Sequence, residues 1–206
     1  MQCRFACRLT SEEYVTQEGW RSATLECCPE HPEGGCGFAR HTPYTRVEPP
    51  GCKVARWYCP TARKTFSLLP DFLASRLRGS LAEVEQVAVL VERTDGMEAA
   101  ADVARPDIQL PGAVRWTRRR SKTALAVLAI VVGLLPDLLA GCEPTISSLR
   151  SRLGVEPALP VLRERAAAHL HALPPPLGFG PRLERRWRSP PPSQQETGPD
   201  PPKLAR

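Results

Sequence analysis

Cys28-Pro29-Glu30-His31, followed by Cys36 and closed by Arg56-Trp57-Tyr58-Cys59-Pro60, decides how the first third of this chain is read. A structural metal site takes four ligands in a tetrahedron, supplied by two short loops. Cys28-x-x-His31 has knuckle spacing, and the proline after the cysteine suits a tight turn. Cys36 follows among Gly34, Gly35 and Gly37, which allow close backbone approach. Cys59-Pro60 falls where the second knuckle of a zinc ribbon belongs, but Ala62 stands in place of its partner cysteine. Two readings follow. In one, Cys28, His31, Cys36 and Cys59 form a Cys3His zinc site. In the other, the ribbon fold persists without metal and its cysteines are small buried hydrophobes. Either role is structural, because no acid–base group is placed to use an open coordination position.

Seven of the eight cysteines lie in the first 59 residues, with Cys142 alone downstream. The start, Met1-Gln2-Cys3-Arg4-Phe5-Ala6-Cys7-Arg8, has neither the apolar run nor the cleavage site of a signal peptide. A cytoplasmic protein is therefore expected, and there clustered cysteines bind metal more often than they pair as disulfides.

Working outward, Tyr44-Thr45-Arg46-Val47 and Lys53-Val54-Ala55-Arg56-Trp57-Tyr58 flank the turn Glu48-Pro49-Pro50-Gly51-Cys52. This pattern predicts a hairpin with Arg46, Lys53 and Arg56 on its exposed face. Thr65-Phe66-Ser67-Leu68-Leu69-Pro70 leaves it as an extended apolar strip. Upstream, residues 8–26 predict a short helix capped by Thr10 or Ser11. Downstream, helical periodicity runs from Asp71 to Val91, again over Met97 to Ala104, and from Leu110 through Arg120. The apolar run Ala124 to Leu135 predicts a core helix, and a helix pair follows at 144–153 and 157–173.

The expected fold class is α+β: an N-terminal helix or arm (1–26), a zinc-ribbon-like module (27–70), a helical module (71–173) with a helix-turn-helix at about 97–120, and a disordered Pro- and Arg-rich tail (174–206).

The net charge of +6 and pI near 9.1 favour anionic partners. Between Gly112 and Lys122 an apolar side with Trp116 accompanies Arg115, Arg118, Arg119, Arg120 and Lys122. Such a helix suits duplex DNA, with arginines going to phosphates or guanine edges and Trp116 anchoring the helix. A solvated basic helix, or the positive flank of a membrane segment, is the competing reading. Twelve clean apolar residues before Pro136-Asp137 fall short of the roughly 20 that a span needs, so no membrane partner is expected through 124–140. No phosphate loop, nucleophile elbow or His-Glu-x-x-His pair occurs, and Asp71, Asp95, Asp102 and Asp107 sit at expected caps and turns. An enzyme is not expected.

Cys28-Pro29-x-His31, Arg56-Trp57-Tyr58-Cys59-Pro60 and the Thr65-to-Pro70 strip together resemble the N-terminal head of bacterial transposase-like proteins, many of them uncharacterised. In that family a zinc ribbon ends in a Cys-x-x-Cys-x-x-Thr-Phe-x-x-Leu-Pro strip and a helix-turn-helix follows. Val114, Arg115 and Trp116 look like its recognition helix, so the match spans about residues 27–122. The resemblance implies a DNA-binding accessory or remnant of a mobile element, lacking the catalytic domain. A module that binds an unknown protein partner is the alternative.

Overall fold

A computed structural model describes residues 1–180 of the chain. Three strands form where the apolar, β-branched and aromatic runs lie: β2 (Ala39–Thr45), β3 (Lys53–Cys59) and β4 (Lys64–Pro70). β2 and β3 make the expected hairpin, and the apolar strip is β4, antiparallel to β3. The fourth strand, β1 (Gln2–Phe5), pairs parallel with β4, so the sheet order is β1-β4-β3-β2. The N-terminus is thus a sheet edge rather than a helical arm. The helix expected over 8–26 shrinks to α1 (Ser11–Thr16), started by a Thr10–Glu13 capping box. Glu18 turns left-handed (φ 49°), and Gly19 sits so close over Tyr14 that a Cβ would meet its ring at 2.3 Å. Both features end the helix. Tyr14 is then fully buried edge-on to Trp20 and Phe72, and its hydroxyl donates to the Lys53 carbonyl. Around it Trp57, Phe66, Leu68 and Leu69 complete one core.

The second core is helical. Asp71 to Ser80 is not helix, contrary to expectation. Ser80 and Glu83 form a capping box that starts α2 (Leu81–Arg93) ten residues late. Leu73, Ala74, Ser75 and Leu77 stay buried as a folded loop in between. α3 (Met97–Ala104) has the expected bounds. The third helix and the apolar run are one 25-residue helix, α4 (Leu110–Leu134). Ser121 and Thr123 do not break it, because their hydroxyls donate back to the Arg118 and Arg119 carbonyls. Ala113, Thr117, Arg120, Ser121, Ala124, Val127, Leu128 and Val131 form one buried stripe at steps of three and four. Among the described residues no helix is long and apolar enough to cross a membrane.

α5 (Pro136–Leu139), α6 (Ile146–Leu153), α7 (Ala158–Arg165) and a 3-10 turn (Ala167–His169) close the chain of helices. Two carboxylates on α2 dock the N-termini of α6 and α7. Glu92 accepts from the Ile146 and Ser147 amides, and buried Glu85 accepts from the Ala158 and Leu159 amides and from Arg150. Each supplies acceptors to orphan amides at the positive end of a helix.

The expected start of the tail at Pro174 is corrected. Residues 174–178 are buried, with Leu177 in the helical core, and the remainder of that stretch, 181–206, lies outside the described residues. Arg163 explains this. It is fully buried and donates to five backbone carbonyls: Pro70, Asp71 and Leu73 on one side, Pro176 and Leu177 on the other. Burial lowers its pKa to about 9, which leaves it charged at neutral pH. Replacing it with methionine would nearly keep the volume and take the donor from the Asp71, Leu73 and Leu177 carbonyls, while Pro70 and Pro176 keep backbone amide donors. Arg163→Met is expected to cost about 4 kcal/mol or more in urea unfolding. Arg163→Lys, a point charge without the planar fork, is expected to lose most of the same. An unchanged midpoint in both variants would show that Arg163 does not join the two halves.

Candidate metal centre and basic cleft

Cys28, His31, Cys36 and Cys59 come together as expected: their ligand atoms all lie within 4.8 Å of one another. The Cys28-to-His31 knuckle is a tight turn, with the His31 amide donating to the Cys28 carbonyl and the Gly34 amide to the His31 carbonyl. Cys36 then turns back into the cluster. Its neighbour Gly37 has φ 67°, and a Cβ there would press on Pro60 at 3.1 Å, so glycine is what lets the two loops meet. Thr61 ties them further by donating to the Cys36 carbonyl, and Lys64 pairs with Glu30 at 2.9 Å. Ala62, at the missing second-knuckle position, contributes its amide to the Cys59 sulfur at 3.3 Å. The fourth corner is filled by Cys36 instead, so three of the four ligands come from one loop and one from the end of β3.

The donor set fits a metal. His31 Nδ1 lies 3.7 Å from Cys28 Sγ and 3.5 Å from Cys59 Sγ. Tetrahedral bonds of zinc length place N and S ligand atoms about 3.6 Å apart. Three cysteines and one imidazole supply the four ligands that a structural site takes. Burial raises the Cys28 pKa, but hydrogen bonds from His31, the Glu30 amide and Cys59 outweigh it and bring the thiol to about 7. Burial and the contact with Cys59 push Cys36 up. Of the other cysteines, Cys27 is exposed and Cys52 is buried with its pKa raised to about 11 by desolvation.

The basic residues divide into two groups. Arg115, Arg118, Arg119 and Lys122 are exposed on α4 and line one cleft of about 690 Å³. Leu77, Ala126, Pro174 and Pro175 supply its apolar walls, and Arg76 enters from the loop before α2. Sequence reading missed Arg76 because it lies in a stretch with helical periodicity. Arg120 does not join them. It is buried, donates to the Arg78 carbonyl at 2.9 Å, and lies 3.9 Å over the Trp116 ring. Desolvation lowers its pKa against the pull of Glu48 and Glu83. Trp116 is half-buried between Arg105 and Arg120, so both it and Arg120 serve α4's packing. On the hairpin, Arg46 donates to the Ala74 and Leu77 carbonyls, Lys53 lies over Trp20, and Arg56 donates to the Thr42 carbonyl. These three are engaged by the fold rather than presented as a free basic face.

Compared with protein-family models, curated proteins and solved structures, the chain matches none.

Purified protein is expected to carry about one divalent metal per chain by mass spectrometry of its metal content. Cys36→Ser and Cys59→Ser should lose it, whereas Cys27→Ser and Cys52→Ser keep it. A metal held here displaces thiol protons, so uptake by the metal-free protein should weaken as pH falls, first because raised Cys36 stays protonated and more steeply below about 7, where Cys28 is protonated too. Equal metal content in all four variants would dissolve the assignment.

Proposed function

We propose that this chain is a DNA-binding protein, with zinc holding its N-terminal loop and the exposed cations of α4 contacting duplex DNA. Zinc is favoured among divalent metals by three thiolates and one imidazole in a closed tetrahedral set. The observation that carries the DNA reading is the cleft. Arg115, Arg118, Arg119 and Lys122 converge there with Arg76, and no carboxylate is among the residues described as lining it. The four exposed cations on one face of α4 favour a polyanion. The resemblance of residues 27–122 to the head of transposase-like proteins agrees with this reading. It supports an accessory or remnant role rather than a catalytic one. Arg120, Arg46 and Lys53 are left out of the proposed contact set because the fold uses them.

The test is duplex binding by zinc-loaded protein, followed by fluorescence anisotropy across a salt series. Four phosphate contacts release enough counterions to give a log–log salt slope of about −3.6. The double variant Arg118→Ala/Arg119→Ala should make that slope shallower by about 2. A flat salt response, or a double variant that binds like the wild type, would end the proposal.

A further inference from the structure

We infer that the cleft reads the sugar–phosphate backbone of DNA and not its base sequence, with Arg76 as the fifth contact. This rests on the DNA-binding reading above and narrows it.

In a helix-turn-helix, the first residues of the second helix reach base edges in the major groove. In α4 those residues are Leu110, Pro111, Gly112, Ala113 and Val114, and no side chain among them can donate or accept a hydrogen bond. The approach to that end is also acidic. Glu98 and Asp102 are exposed on α3, and exposed Asp107 in the turn is held by Arg105 at 2.7 Å. With no side chain there to read a base edge, the start of α4 is unsuited to a recognition role.

The cations lie further along. Arg115, Arg118, Arg119 and Lys122 occupy the second to fourth turns of α4, and Arg76 faces the same cleft from the loop before α2. Arg76 has a left-handed backbone (φ 53°), and one of its guanidinium nitrogens reaches the Phe179 carbonyl at 3.4 Å. Its position is thereby fixed by the 173–180 segment, whose Pro174 and Pro175 form the opposite wall. Asparagine and glutamine read adenine, and aspartate and glutamate read cytosine. None of these four types is among the residues described as lining the cleft. Leu77, Ala126, Pro174 and Pro175 offer apolar surface to a deoxyribose; the arginines and Thr123 reach base edges only from inside a groove, and here they face the wall formed by Pro174 and Pro175. A space of about 690 Å³ is the size of a small-molecule site and holds a few backbone units of one strand.

The experiment uses the full zinc-loaded chain and three unrelated 20-base-pair duplexes, one all A·T and one all G·C. Affinities at one salt concentration are expected to agree within about threefold. Arg76→Gln should make the salt slope shallower by about 1 on every duplex. Ala126→Glu, which places a carboxylate in the cleft without removing a contact, should weaken binding at least tenfold with an unchanged melting temperature. A hundredfold preference for one duplex, including a guanine preference carried by the arginines, overturns backbone reading. So does an unchanged slope in Arg76→Gln together with normal binding by Ala126→Glu. Failure of the wild type to bind any duplex overturns the DNA reading and this inference with it.

Discussion

A single buried guanidinium joins the two halves of this molecule. Arg163, on α7, sends its fork into a space bounded by the end of β4 and by the 173–180 segment. Burying a charge in this way is costly unless each donor finds an acceptor. Here the acceptors are backbone carbonyls of a loop and a segment that lack regular structure and that also bond each other directly, the Ser75 amide donating to the Pro176 carbonyl and its hydroxyl to the Gly178 carbonyl. Arg163 adds the Asp71, Leu73 and Leu177 carbonyls to that junction, so loop, segment and α7 are placed together. Asp71 extends the junction. Its carbonyl accepts from Arg163, and its carboxylate takes both ends of Arg4, which holds β1 to the sheet edge.

The same logic recurs at smaller scale on α2. Glu85 and Glu92 lie on one helix and each caps another, so the short helices α6 and α7 borrow their starts from α2. Helices of eight residues are marginal alone, and docking a carboxylate at their N-termini fixes both direction and register. The helical core is thus assembled around polar anchors, with leucines and valines filling between them.

What was legible in the sequence was local. The hairpin, the apolar strip and α3 carry their own periodicity and turn residues, and the four metal-ligand candidates sit at recognisable spacing. What was not legible depended on distant partners. Gln2 to Phe5 is too short to show a pattern and becomes a strand only because β4 offers its edge. Asp71 to Ser80 has helical apolar spacing, yet its carbonyls are claimed by Arg163 and the Ser80–Glu83 cap restarts the helix. α4 was divided at its change of composition, although nothing between Arg120 and Ala124 breaks a helix. Residues 174–178 have the composition of a disordered segment, but Leu177 enters the core and Ser75 donates to the Gly178 carbonyl. The side chain that decides the matter, Arg163, reads in sequence as one more surface arginine of a basic helix.

The α4 cations that line the basic cleft repel one another. Elsewhere arginines are matched: Arg4 with Asp71, Arg150 with Glu85, Arg105 with Asp107. In the cleft, Arg115, Arg118, Arg119 and Lys122 share one face of α4, and no carboxylate is among the described residues that line it. Repulsion among exposed cations is screened by salt and weak pair by pair, but convergence in a concave site concentrates it. Natural sequences keep such local conflicts mainly where function needs them. An anion that neutralises the cluster binds the folded form alone and, by linkage, stabilises it. The wall that makes the site concave is the 174–175 segment, which Arg163 holds in place. A fully buried cation therefore sets the geometry around the exposed cations of the cleft.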